Sequence, residues 1–218
     1  MIDLTKIGAV GVYGREKSGK SNLVRNVMDY LQSRIFDLPC EAYLIDDYDK
    51  QLSEFNSYGF VQKITVDCAE FEDVLQIFTE ATETRMEMLR TGKSLDKEPL
   101  LLCVVQNPQI FATDVVSFKT SETFKKLLAD SKRLKICFMF ANVSNIGEFT
   151  VPEMLKQVRT LPQFFLLDDI TNVKLFGSSK FSTNDLREYK KPISIGDGYV
   201  VDSTGELQKV KLVKQDRR

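Results

Sequence analysis

"GVYGREKSGKSNLV", residues 11–24, decides the fold. Gly14-Arg15-Glu16-Lys17-Ser18-Gly19-Lys20-Ser21 fills every fixed position of the pattern G-x-x-x-x-G-K-[ST]. An apolar run, "IGAVGVYG" (7–14), precedes it and an amphipathic stretch follows. That is a strand, a phosphate-binding loop and a helix. Glycines let the backbone N–H groups curl around a phosphate, and the start of the helix adds its positive dipole end. Lys20 would reach the β- and γ-phosphates, Ser21 would hold Mg²⁺, and Asn22 opens the helix behind them. The cofactors implied are ATP and Mg²⁺.

Two residues strain the reading. Lys17 stands where many such loops carry glycine, because the backbone there is tightly curled. Glu16 places a carboxylate near the phosphates, and Arg15 and Lys17 offset it. The loop therefore either binds ATP or is an inherited loop that no longer does.

Outward from the loop, four more apolar runs read as buried strands: "EAYLID" (41–46), "PLLLCVVQ" (99–106), "LKICFMFAN" (134–142) and "QFFLLDD" (163–169). Most do not alternate, which suits a sheet covered on both faces. Helical patterns fall between them, over 19–34, 70–90, 119–131 and 150–160, the last with Thr150 as N-cap and Pro152 in the first turn. Strands alternating with helices mean a parallel sheet. The tail "GDGYVVDSTGELQKVKLV" departs from this and predicts an antiparallel hairpin over 195–214, turning near Ser203-Thr204-Gly205. The fold expected is α/β, a RecA-like P-loop NTPase with a mostly parallel central sheet flanked by helices, and residues 1–218 are expected to form a single domain. The spacing places strand 7–13 between those at 100–106 and 135–141, with 41–46 outside them. A core strand beginning at Ile7 suggests a domain excised from a longer protein.

Composition narrows the chemistry. The 218 residues are 43% hydrophobic and 28% charged, with a formal net charge of -1. That is not the basic footprint of a nucleic-acid binder, and no basic run exceeds two residues. Histidine is absent, which removes histidine general bases and histidine-ligated metal sites. Cys40, Cys68, Cys103 and Cys137 form no C-x-x-C pair, and free thiols are expected. No run approaches the roughly 20 apolar residues that span a bilayer.

Hydrolysis needs an acidic residue at the end of a second strand. Asp46-Asp47 and Asp168-Asp169 offer carboxylates, and both pairs read as solvated loop residues. Chain order selects the strand at 100–106 instead, and its end carries Gln106-Asn107, two neutral amides. Asn142, ending the next strand, stands where a polar sensor would face the γ-phosphate.

Together, "GREKSGKSNL", "LLLCVVQNPQIF", "FMFANVS", "FFLLDDITNVKLFG" and "IGDGYVVDSTGELQKVKL" resemble the FtsK/SpoIIIE-type ATPases over nearly the whole chain. The likeness is greatest to the C-terminal (third) ATPase domain of the EssC/EccC coupling proteins of type VII secretion. The resemblance implies a cytoplasmic domain of a membrane-anchored protein at the bacterial cell membrane. It implies small helical secretion substrates of the WXG100 class and other ATPase domains of the same chain as partners, and an oligomer in the full-length protein. Nucleic acid is not an expected partner. In that family Gln106-Asn107 occupies the place of the acidic Walker B pair, so the domain is expected to bind or regulate substrates with little or no ATP hydrolysis. The alternative is an active FtsK-like motor moving protein or DNA.

Overall fold

Strands that are apolar on both faces must be covered on both, and the chain does this, among the described residues, with one helix on one side and three on the other. The computed structural model describes residues 3–111, 118–142, 153–169, 187, 193–202 and 204–212. Among these, the strands are β1 (Ala9–Tyr13), β2 (Cys40–Ile45), β3 (Val61–Thr65), β4 (Leu100–Val105), β5 (Ile136–Ala141), β6 (Phe164–Leu166), β7 (Asp197–Val201) and β8 (Leu207–Lys211). The helices are α1 (Lys20–Ser33), α2 (Cys68–Arg90), α3 (Phe118–Ser131) and α4 (Glu153–Arg159). All lie in or against one sheet of order β3-β2-β4-β5-β1-β6-β7-β8. The strands from β3 to β6 run parallel, and β7 and β8 close the sheet antiparallel. The α/β, RecA-like P-loop fold and the C-terminal hairpin are as expected.

One neighbour differs. β1 pairs with β5 and β6, and β5 stands between it and β4. Spacing alone does not choose the slot a returning strand takes, because the right-handed crossover rule leaves several open. The position of β2 outside β4 is as expected. β3 was not legible: Val61-Gln62-Lys63-Ile64-Thr65 is half exposed at the sheet edge, where a charged residue is usual and no apolar run forms.

Two cores result. Under α1, Leu23, Val24, Met28 and Leu31 meet Val10, Val12, Leu44, Val104 and Met139. Across the sheet, Phe71, Phe78, Phe124 and Val158 from α2, α3 and α4 meet Tyr43, Phe138 and Phe140. Rings there meet tilted or edge-on, with Phe78 and Phe138 centroids 5.1 Å apart and Phe124 and Phe140 5.7 Å apart. Cys40, Cys103 and Cys137 are free and buried, Cys68 is free and partly buried, and burial pushes the Cys40 and Cys137 thiols up to about 12. No described helix is long and apolar enough to cross a membrane. Thr150, Pro152 and Ser203 lie outside the described residues. The hairpin turn is held by Asp202, whose carboxylate accepts from the N–H groups of Thr204 and Glu206 at 2.8 and 3.1 Å.

The blunt end of the sheet is tied by Arg85. Its guanidinium is buried at 3% exposure and donates to the carbonyls of Leu134, Lys135 and Pro99 at 2.7, 3.0 and 2.8 Å. It satisfies the Leu134 and Pro99 carbonyls and shares the Lys135 carbonyl with the Leu101 N–H of β4. Arg85→Ala should therefore cost about 3 kcal/mol, since it strands buried acceptors and leaves a void. The check is urea denaturation: the midpoint should fall with the slope unchanged.

Candidate nucleotide-binding site

Parallel strands deliver their following loops to one edge of the sheet, the carboxyl edge, where ligands of such folds bind. Residues 14–19 after β1, 46–52 after β2, 106–107 after β4, 142 after β5 and 167–169 after β6 all arrive there.

The phosphate loop has the conformation its glycines require. Gly14 and Gly19 have φ of 156° and 109°. A Cβ on Gly14 would lie 2.5 Å from Ser18 Oγ and 2.7 Å from the Leu167 carbonyl, so nothing larger fits. Lys17 sits at φ 60°, a left-handed position that costs a residue with a Cβ about 1 kcal/mol. Arg15, Glu16 and Lys17 are exposed, and Ser18 is buried. α1 begins at Lys20 with Gly19 as its N-cap and no side-chain cap, so its first N–H groups are left for a ligand. Lys20 is folded onto the loop, donating to the carbonyls of Gly14 and Arg15 at 2.9 and 2.8 Å. Burial lowers its pKa, while Asp168 and Glu16 oppose that. A cavity of about 480 Å³ opens beside it, lined by residues of the loop including Glu16, Lys17 and Ser21, by Asn22, and by Asp47, Asp49, Gln51 and Asn142. Asn142 therefore stands at the site, with φ 60°.

The end of β4 is the decisive point. Gln106 and Asn107 are both fully buried. Their side chains diverge. Gln106 Nε2 donates to Ser21 Oγ and to Gln51 Oε1, each at 3.1 Å, and Ser21 Oγ donates to Gln51 Oε1 at 2.8 Å. Asn107 turns away, donating to the Val66 carbonyl at 3.2 Å and accepting from the Gln109 N–H at 2.9 Å. So Gln106 reaches the helix start and Asn107 shapes the turn after β4. Magnesium at Ser21 would need a carboxylate to neutralise it. What the Ser21 hydroxyl bonds is two neutral amides, and Asp47 and Asp49, which line the same cavity, make no hydrogen bond to it. The donor set does not fit the ion.

The acidic pairs correct the sequence reading. Asp46 and Asp168 are buried, at 1% and 4% exposure, not solvated. Asp46 accepts from the N–H groups of Asp47 and Leu52, both at 2.8 Å, and burial raises its pKa against those bonds. Asp168 accepts from the N–H groups of Arg15 at 3.0 Å and Asp169 at 2.8 Å. Each carboxylate holds a loop in shape, a role that local sequence does not signal. Gln51 and Asp49 were not anticipated as site residues, and Asp47, weighed as a candidate carboxylate and read as solvated, lines the cavity with them. They arrive because the segment after β2 folds onto α1, where Glu54 pairs with Arg25 and the Tyr58 hydroxyl bonds Asp29.

No protein-family model matches the sequence, and no curated protein matches it. Solved structures do. The cytoplasmic domain of the Thermomonospora curvata type VII secretion ATPase EccC is 15% identical with a TM-score of 0.71, over 99% of this chain and 25% of that one. EccC ATPases 2 and 3 from the same organism, in complex with a signal sequence peptide, are 16% identical with a TM-score of 0.69, over 99% and 38%. EssC ATPases 2 and 3 from Geobacillus thermodenitrificans are 19% identical with a TM-score of 0.67, over 98% and 38%. The chain thus spans well under half of each, and the fold it shares with them is that of the P-loop ATPase domains that its motifs resemble.

Asp168→Ala should free the Arg15 and Asp169 amides and cost about 2 kcal/mol. Thermal melting with hydrogen exchange checks this: the Arg15 amide should lose protection. Unchanged protection and melting would show that Asp168 does not hold the loop.

Proposed function

We propose that the chain is a degenerate ATPase domain of a secretion coupling protein of the EssC/EccC type, binding ATP with little or no hydrolysis and serving to recognise or regulate secretion substrates. The observation that carries this reading is the amide of Gln106 on Ser21, where hydrolysis requires a carboxylate. Phosphoryl-transfer catalysis is almost entirely positioning and charge stabilisation, so the lost charge removes turnover and leaves the phosphate cradle. Gly14 to Asn22 would hold the triphosphate, and Asn142 would face its outer phosphate as a sensor.

ATP titration with turnover measured in parallel is the test. Binding should be detectable, Lys20→Ala should weaken it, and steady turnover should be absent. Turnover abolished by Lys20→Ala would revive the motor reading, with Asp47 and Asp49 as the carboxylates to examine next. Absence of binding at millimolar ATP would make the loop a relic.

The partners proposed are helical export substrates of the WXG100 class and other ATPase domains of a longer, membrane-anchored chain, at the cytoplasmic face. The structural match to an EccC complex with a signal sequence peptide supports this. So does the near-zero net charge, which makes a phosphate backbone a poor partner. Among the described residues Tyr48 and Ile195, 72% and 75% exposed, offer apolar contact at the carboxyl edge. Helical signal peptides of the small secreted proteins should bind with micromolar affinity, since ordering them costs free energy. Ile195→Ser should weaken that binding. A chain that ignores every such peptide yet shifts duplex DNA with steep salt dependence would contradict the proposal.

A further inference from the structure

We infer that this site takes its nucleotide as the metal-free triphosphate, with the Gln106 amide serving beside Ser21 in place of a divalent cation. The inference rests on the nucleotide-binding reading above and sharpens it.

Magnesium keeps near-octahedral geometry and parts reluctantly with its waters, so a site holds it through anionic oxygens. The nucleotide's phosphates supply some of these, and the protein's share at such a site is a serine hydroxyl with a carboxylate beside it. Here Ser21 Oγ accepts from Gln106 Nε2 at 3.1 Å and gives its own proton to Gln51 Oε1 at 2.8 Å. The hydroxyl oxygen meets a donor where it would offer a lone pair to a metal. Gln106 Nε2 also donates to Gln51 Oε1 at 3.1 Å, so the three groups form a closed neutral triangle.

Gln106 is not free to leave. It is fully buried at the end of a strand flanked by two others, and its Oε1 already lacks a hydrogen-bond partner. Withdrawing Nε2 would leave the whole amide unpaired, which a buried polar group does not tolerate cheaply. Charge compensation for the phosphates is available without a metal, from Lys20, from Lys17 on the cavity wall and from the uncapped start of α1. Asp47 and Asp49 line the same cavity, and Asp47 accepts from the Tyr48 N–H at 2.7 Å. They are the carboxylates that would recruit a cation if the triangle did not exclude it.

The experiment is calorimetric titration of the 218-residue chain with ATP, once in excess EDTA and once in excess magnesium chloride. The affinity should be equal or greater in EDTA. Tightening by magnesium of about tenfold or more would overturn the inference. If Asp47→Asn or Asp49→Asn abolished that tightening, those carboxylates would be the ligands instead. Gln106→Asp should create magnesium dependence of about tenfold. Because a carboxylate at that buried position risks unfolding the chain, Gln51→Glu is the second variant: Gln51 is exposed, and a carboxylate there would meet Ser21 from the solvent side. Magnesium indifference in a folded Gln51→Glu variant would overturn the role given to the triangle. Absence of binding in both media would remove the nucleotide reading and this inference with it.

Discussion

The contact between the Gln106 amide and the Ser21 hydroxyl joins the strand that would carry the chemistry to the loop that would carry the phosphate. β4 is buried on both faces and flanked by β2 and β5, so whatever residue follows its last position is delivered to the start of α1. A carboxylate there would organise a cation and a water. An amide does neither, and it fits the same space without disturbing the sheet. The sheet thus fixes where residue 106 stands, and the side chain at that buried position sets what chemistry is delivered there.

Acidic residues are not scarce at this edge of the sheet, and their placement shows why number is a poor guide. Asp46 and Asp168 are within reach of the site, yet each accepts two backbone N–H groups and is committed to a loop. Asp168 fixes Arg15 and so the entry to the phosphate loop. Asp46 fixes the turn that brings Gln51 to Ser21, and the Arg25–Glu54 and Asp29–Tyr58 pairs hold that segment against α1.

The phosphate loop, the alternation of strands and helices, and the neutral end of β4 were all legible, because each rests on local pattern. Buried parallel strands announce themselves as apolar runs, and a left-handed or crowded loop position demands glycine, as at Gly14. What escaped was everything set by distant packing. β3 is polar because it is an edge. The slot of β5 between β1 and β4 is a pairing between distant segments, which no single segment encodes. The burial of Asp46 and Asp168 depends on loops closing over them, so residues that look solvated in the sequence turn inward. Gln51 had no signal at all, since its role exists only when 46–52 crosses to α1.

The most direct measurement is release of the γ-phosphate in a single turnover, comparing the chain with a Gln106→Asp, Asn107→Glu double variant that places carboxylates at both positions. The native chain should release none above background, and the double variant, if folded, should release phosphate in the presence of magnesium. Release by the native chain at a rate equal to that of the double variant would contradict the claim that the amide at the end of β4 silences this site.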